Sequence, residues 1–218
     1  MPIKKSAEVG ELGKPAPTWM VSYSDLVTQL LTFFIMLFAL SAAATEDQLK
    51  KIKQKIDNYV LENRLEKFVS TKITQKEGLI ISFSEKYMFD SGKADIYDEA
   101  KEVIKNIASL LLDEPNRISI EGHTDNTPIN TPEFPSNWEL STKRATNVLK
   151  YLLEELKFDP KRLTAAGFGE WHPVAPNDTP ENKAKNRRVD LIVRRLDIEE
   201  MREWRAKLAE SLKKSVRG

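Results

Sequence analysis

One long oily run dominates the first fifth of the chain. From Met20 to Ala44 the residues read MVSYSDLVTQLLTFFIMLFALSAAA, nearly all apolar or small, and Asp25 is the one charged side chain among them. At about 1.5 Å of rise per residue this stretch reaches about 37 Å as a helix, enough to cross a hydrocarbon core about 30 Å thick with some tilt. The pattern predicts a transmembrane helix over residues 19–44, preceded by a tail over 1–18. Ala42-Ala43-Ala44 also resembles a cleavage site, and Lys4, Lys5 and Lys14 a charged leader. Against a signal peptide stand the length of the run, beyond the roughly 7 to 15 residues of a signal core, and the acid near its start. Ser22, Asp25, Gln29 and Thr32 fall at helical spacing with Thr28 beside them, a polar stripe along an oily helix. A carboxylate at that depth costs about 2.5–3.5 kcal/mol when ionised. Such a stripe calls for a helical partner or a second copy of this chain to cover it. Intramembrane acids commonly mark ion pathways, and helix gluing or snorkelling is the plainer alternative for Asp25.

Beyond the run the period changes. Leu49, Ile52, Ile56, Tyr59 or Val60, and Phe68 recur at roughly helical spacing among charged residues, which predicts an amphipathic helix in a linker over 45–77. Its apolar face reads equally as a spacer or dimer seam and as a plug that lies on the bilayer or covers a pore mouth. From residue 78 to 196 the pattern is that of a compact α+β domain. LIISFS (79–84) reads as a strand, 97–112 as a helix, RISIEG (117–122) as a strand, and 136–157 as a helix whose Ser136 and Glu139 fit a capping box. RLTAAGFG and RRVDLIVRRL supply two more strands, giving β-α-β-α-β-β with a short helical turn before the last strand. A polar loop with Pro128, Asn130, Pro132 and Pro135 precedes the second helix, and a charged helix is expected over 197–218.

Charge narrows the function classes. The balance of 34 basic against 33 acidic residues gives a net charge of +1, so no global field draws the chain to nucleic acid. The absence of cysteine excludes disulfides, thiolate metal sites and a cysteine nucleophile. His123 and His172 are the only histidines and no third ligand accompanies them, so a catalytic zinc is not expected. There is no nucleophile elbow, phosphate loop or acid pair at useful spacing, and the chain reads as a non-enzyme without a resident cofactor.

Four ordered motifs carry a resemblance: Glu121-Gly122-His123-Thr124-Asp125, NWELSTKRA (137–145), Gly167-Phe168-Gly169, and Asn186-Arg187-Arg188-Val189. Over roughly residues 79–195 they closely resemble the OmpA-like peptidoglycan-binding domain. The stretch from Pro17 to Leu40, with Trp19 and Ser24-Asp25-Leu26, resembles the membrane helix of the MotB family of flagellar stator proteins. The resemblance implies two helices packed on one face of a mixed sheet, and a cleft that holds the meso-diaminopimelate residue of peptidoglycan. An ammonium and a carboxylate held close together suit one fixed acid and one fixed guanidinium, the latter acting bidentately. Asp125 and Arg144 match those two positions, and Thr124, Asn137, Arg187 and Arg188 complete the expected set. From the residues alone, Asp125 reads also as a loop cap, Arg144 as a surface ion-pair residue and Asn137 as part of a helix start. Alternation turns one of Arg187 and Arg188 inward and the other out.

The same resemblance implies a stator subunit of the inner membrane, single-pass, with its N-terminus cytoplasmic and its C-terminal domain periplasmic; the lysine count on the two flanks does not itself decide the orientation. A MotA-like multi-span partner, a second copy of the chain and peptidoglycan are the implied partners. Asp25 is then the binding site for transported H⁺ or Na⁺. The alternative is a passive envelope tether of the OmpA or Pal type, in which the membrane acid has no purpose.

Overall fold

The computed structural model describes residues 17–196, 199–200, 202–204 and 206. The chain divides into two units after Ala43. The first helix, α1 (Thr18–Glu62), begins in one unit and ends in the other.

In the first unit, residues 18–40 of α1 form a segment long and apolar enough to cross a membrane. Trp19, Phe33, Phe34, Met36, Phe38 and Leu40 are all exposed, so their burial has to come from lipid or from another chain. Polar side chains on this helix bond to its own backbone. The hydroxyls of Ser24, Thr28 and Thr32 donate to the carbonyls of Met20, Asp25 and Gln29 at 2.8, 2.9 and 2.8 Å. Such back-bonding satisfies a hydroxyl within the segment, which suits an apolar surrounding.

In the second unit, a five-stranded sheet runs in the order β1-β2-β5-β3-β4. The strands are β1 (Val69–Thr74), β2 (Gly78–Ser84), β3 (Ile118–His123), β4 (Leu163–Gly167) and β5 (Arg188–Val193). Only β3 and β4 are parallel. A single turn, α2 (Glu85–Met88), follows β2, and α3 (Asp98–Ser109), α4 (Asn137–Leu156) and α5 (Pro180–Asn186) complete the order. Leu79, Ile81 and Phe83, with Ile118, Ile120, Val189, Leu191 and Val193, share one core with Val103, Ile104 and Ile107 of α3 and with Val148 and Leu152 of α4. The period-2 and period-3.6 runs of the sequence thus bury the faces they predict. Strand β1 was not expected. Its residues VSTKIT fall within the stretch read as linker, and they add an edge strand that pairs with β2 from Val69↔Phe83 to Thr74↔Gly78.

The second half of α1 belongs to the same core. Leu49, Ile52, Ile56 and Val60 are almost fully buried in it. Gln48 donates to Glu114 at 2.7 Å, Asn106 of α3 donates to the Tyr59 hydroxyl at 2.9 Å, and Asp57 accepts from Thr71 of β1. The apolar face considered above as a plug or a dimer seam is therefore covered by the chain's own domain. Truncating Ile52 to Ala should lower unfolding free energy by about 2–5 kcal/mol, as for other buried aliphatics. Leu61→Ala, at a position 65% exposed, should leave it unchanged in the same denaturation series. Most of the expected C-terminal helix, residues 197–218, lies outside the described residues, as do residues 1–16 of the tail.

A candidate two-sign cleft at one end of the sheet

Strand order places the site. Because β5 lies between β2 and β3, its first residue Arg188 pairs with Ser84 on one side and His123 on the other. The residues just past those ends, Glu85, Asp125 and Arg187, therefore gather at one end of the sheet. Glu85 also donates its backbone N–H to the Arg187 carbonyl at 3.0 Å.

Close helix packing brings in the other half. Gly122 and Gly167 are register partners on β3 and β4, and α4 rests directly on them. A Cβ at Gly122 would lie 2.1 Å from the Ser141 carbonyl oxygen, and one at Gly167 would lie 2.3 Å from the Thr142 nitrogen. Only glycine permits this approach, and it holds the start of α4 over the strand ends. Ser136 caps the helix by accepting from the Trp138 N–H at 3.2 Å and donates to the Glu139 carboxylate. Asn137 then ties the two neighbouring loops together, donating to the Thr127 carbonyl at 3.1 Å and to Glu170 Oε2 at 3.2 Å.

At the centre four charges alternate in sign. Arg187 Nη1 bonds Asp125 Oδ2 at 2.6 Å, and its Nε bonds Glu85 Oε2. Glu85 Oε1 in turn bonds Arg144 Nη2 at 2.6 Å. Arg144, only 2% exposed, also donates from Nε to the Lys93 carbonyl at 2.8 Å, and its guanidinium carbon lies 4.9 Å from the centre of the Phe89 ring. Burial lowers its pKa while Glu85 opposes that shift, and an arginine stays charged through such changes. Arg187 is also penalised by burial, yet Asp125 and Glu85 together raise its pKa. Asp125 bonds the Thr127 N–H at 2.9 Å through Oδ1, so it is both a loop cap and an ion-pair partner.

These groups line an open cleft of about 850 Å³, with Phe89, Ile129 and Leu140 as apolar walls. Thr124, Asp125, Asn137, Arg144 and Arg187 all border it. The Thr124 hydroxyl is buried there with no hydrogen-bond partner among the described residues. Arg188, also expected in the set, does not border this cleft. Successive strand residues face opposite ways, and it turns to the other side of the sheet, bonding Asp190 at 2.9 Å and the Asn186 carbonyl at 3.3 Å. Glu85, which the sequence reading passed over, does border the cleft. The signal available was an acid directly after a strand, at the end where the GHTD strand also stops.

The opposite face of the sheet carries Ser119, Glu121, His123, Arg188 and Asp190, all buried. His123 stacks with Phe168 and lies 3.5 Å from Asp190. Burial, helped by Arg188 and His172, lowers its pKa to about 3, so it is neutral in the fold. An unfolded histidine titrates near 6.5, so folding loses this contribution as pH falls from there toward 3, at up to about 1.4 kcal/mol per unit. Burial raises Glu121 and Asp190, which acts in the opposite sense. A variant comparison isolates the histidine. Between pH 7 and 5, His123→Phe should lose about 2 kcal/mol less stability than the parent chain in chemical denaturation.

An apolar span joined to a domain of this topology and cleft defines a class of membrane-anchored proteins with an OmpA-like domain. Residues 88–187 match the OmpA family, and residues 3–59 match the family described as "Membrane MotB of proton-channel complex MotA/MotB". The chain belongs to the MotB family, with a C-terminal OmpA-like domain. It is 43% identical to Motility protein B of Bacillus subtilis, over 69% of this chain and 58% of that protein. It is 30% identical to the uncharacterized protein YtxE of the same organism, over 85% of this chain and 92% of that one. Among solved structures, a MotB-like protein from Desulfovibrio vulgaris matches with a TM-score of 0.63 and 28% identity, covering 69% of this chain and 96% of that one. The cell wall anchor of the type VI secretion system from Pseudomonas aeruginosa matches with a TM-score of 0.59 and 29% identity, covering 66% and 99%.

Proposed function

We propose that the chain is a stator subunit of a flagellar motor: it couples ion flow at Asp25 to torque and fixes the complex to peptidoglycan through the cleft. The observation that carries this reading is the pairing, on one chain, of a charged residue within an exposed apolar helix and a domain with a two-sign cleft. Force against a rotor needs both an ion-driven element and a fixed point. In this reading α1 crosses the inner membrane once, with the N-terminus cytoplasmic and the domain periplasmic.

The polar stripe around Asp25 is covered by a MotA-like multi-span partner and by a second copy of the chain. H⁺ or Na⁺ is cargo rather than cofactor, bound and released by the carboxylate as its surroundings alternate. In the cleft, Asp125 meets the ammonium of a meso-diaminopimelate residue and Arg144 its carboxylate, with Thr124 and Asn137 at the walls. In this reading the cleft acts as a grip and not as an enzyme. Two measurements test the two ends: motility of an Asp25→Asn strain, and retention on isolated peptidoglycan of chains altered at Arg144 or Asp125. Motility that survives the first change would favour a passive tether.

A further inference from the structure

We infer that Glu85 is the positioning residue that makes the cleft selective for a zwitterionic ligand end over a purely anionic one. The inference rests on the wall-binding reading above and deepens it.

Glu85 gives one carboxylate oxygen to each of two guanidinium groups, Oε1 to Arg144 and Oε2 to Arg187. Arg187 spends a further donor on Asp125. The four groups thus form one chain, Asp125–Arg187–Glu85–Arg144, and their formal charges sum to zero. Arg144 keeps Nη1, which makes no hydrogen bond among the described residues, while Nε and Nη2 are committed to Lys93, Asp90 and Glu85. Asp125 keeps the second lone pair of each oxygen. One donor on the positive side and spare acceptor capacity on the negative side therefore remain, which suits a ligand end that carries both an ammonium and a carboxylate.

Without the Glu85 charge, two guanidinium groups would face a single carboxylate. A site with that surplus attracts anions and loses its preference for a ligand that also carries an ammonium, because like charges oppose each other more strongly where the groups that bear them are largely buried. Glu85 also has its place fixed by the fold. It follows β2 directly, its N–H is bonded to the Arg187 carbonyl, and both of its carboxylate oxygens are taken up by guanidinium groups, so its effect on a ligand is assigned to the two arginines it holds.

The test uses the full-length chain in detergent and two soluble probes. One is a peptidoglycan stem peptide with its free diaminopimelate end. The other is the same peptide with that amine acetylated, which removes the positive charge and leaves the carboxylate. The parent chain should prefer the free amine at least tenfold by calorimetric titration. Glu85→Gln should reduce that preference at least tenfold, by weakening the zwitterion and sparing or strengthening the acetylated probe. Glu85→Asp keeps the charge and should keep the preference even where overall affinity falls. A Gln variant that weakens both probes in proportion would show a structural role only and overturn the assignment of Glu85. A parent chain that binds neither probe would overturn the wall-binding reading and this inference with it.

Discussion

Replacing Arg144 by Leu should remove retention of the full-length chain on isolated peptidoglycan, with at least a hundredfold loss of affinity. The side chain is buried, and its donors hold the Lys93 and Asp90 carbonyls as well as Glu85. Truncating one member of a buried, hydrogen-bonded charge pair typically costs about 2–5 kcal/mol in binding, and a hundredfold loss corresponds to about 2.8 kcal/mol. Because Arg144 also ties down the 90–93 loop, part of the loss will appear as reduced stability. Asp125→Asn separates the two effects. Asparagine retains the oxygen that accepts from Thr127, but it turns an amide toward Arg187 Nη1, now 2.6 Å from an acceptor. Unfolding should shift less than in Arg144→Leu, because the Thr127 cap survives, while cosedimentation should fall at least tenfold. Full retention by both variants would remove the cleft from the wall contact.

The reach of sequence reasoning follows from distance along the chain. The span, Asp25 and the polar stripe are local features, and a window of residues suffices to read them. Strands β2, β3 and β5 and helices α3 and α4 are similarly explicit, since their apolar positions repeat with the right period. Strand β1 escaped because it is an edge: with one neighbour only, VSTKIT carries Lys72 on its free face and shows little alternation. The amphipathic face of Leu49, Ile52 and Ile56 was visible, but what covers it was not, since period alone never names the opposing surface. The cleft divides in the same way. Asp125, Asn137 and Arg144 stand in recognisable motifs, whereas the choice of Arg187 over Arg188 and the role of Glu85 depend on β5 lying between β2 and β3. That order joins Arg187 to Asp125 and to Glu85, 62 and 102 positions away, and no local pattern encodes it.

Burial of the α1 face also changes how a deletion there should be read. Removing residues 46–62 takes Leu49, Ile52, Ile56 and Val60 out of the core, so such a chain suffers a folding defect whatever happens to ion leakage. Point changes on exposed positions of that helix, such as Leu61, are the cleaner probe of a pore-covering role.

Asp25→Asn should abolish swimming while leaving the protein in the membrane at undiminished level. Asparagine has the shape of the aspartate and keeps its polarity, so the stripe formed with Ser22, Gln29 and Thr32 remains able to pack against a partner helix. The change removes the ability to alternate between charged and neutral forms, and with it any ion-linked cycle. Insertion should become easier, since an ionised carboxylate within the span costs up to about 2.5–3.5 kcal/mol that the amide avoids in part. Three readouts together decide the matter: rotation of tethered cells, the amount of chain in the membrane fraction, and copurification of the multi-span partner. Lost rotation with the other two intact assigns the carboxylate to energy conversion. Lost rotation with lost copurification would mean that Asp25 chiefly holds helices together, and retained rotation would reduce the chain to a wall tether. In the parent strain, speed measured against Na⁺ at fixed pH then identifies the ion: a dependence on Na⁺ makes it the cargo, and indifference to Na⁺ leaves H⁺.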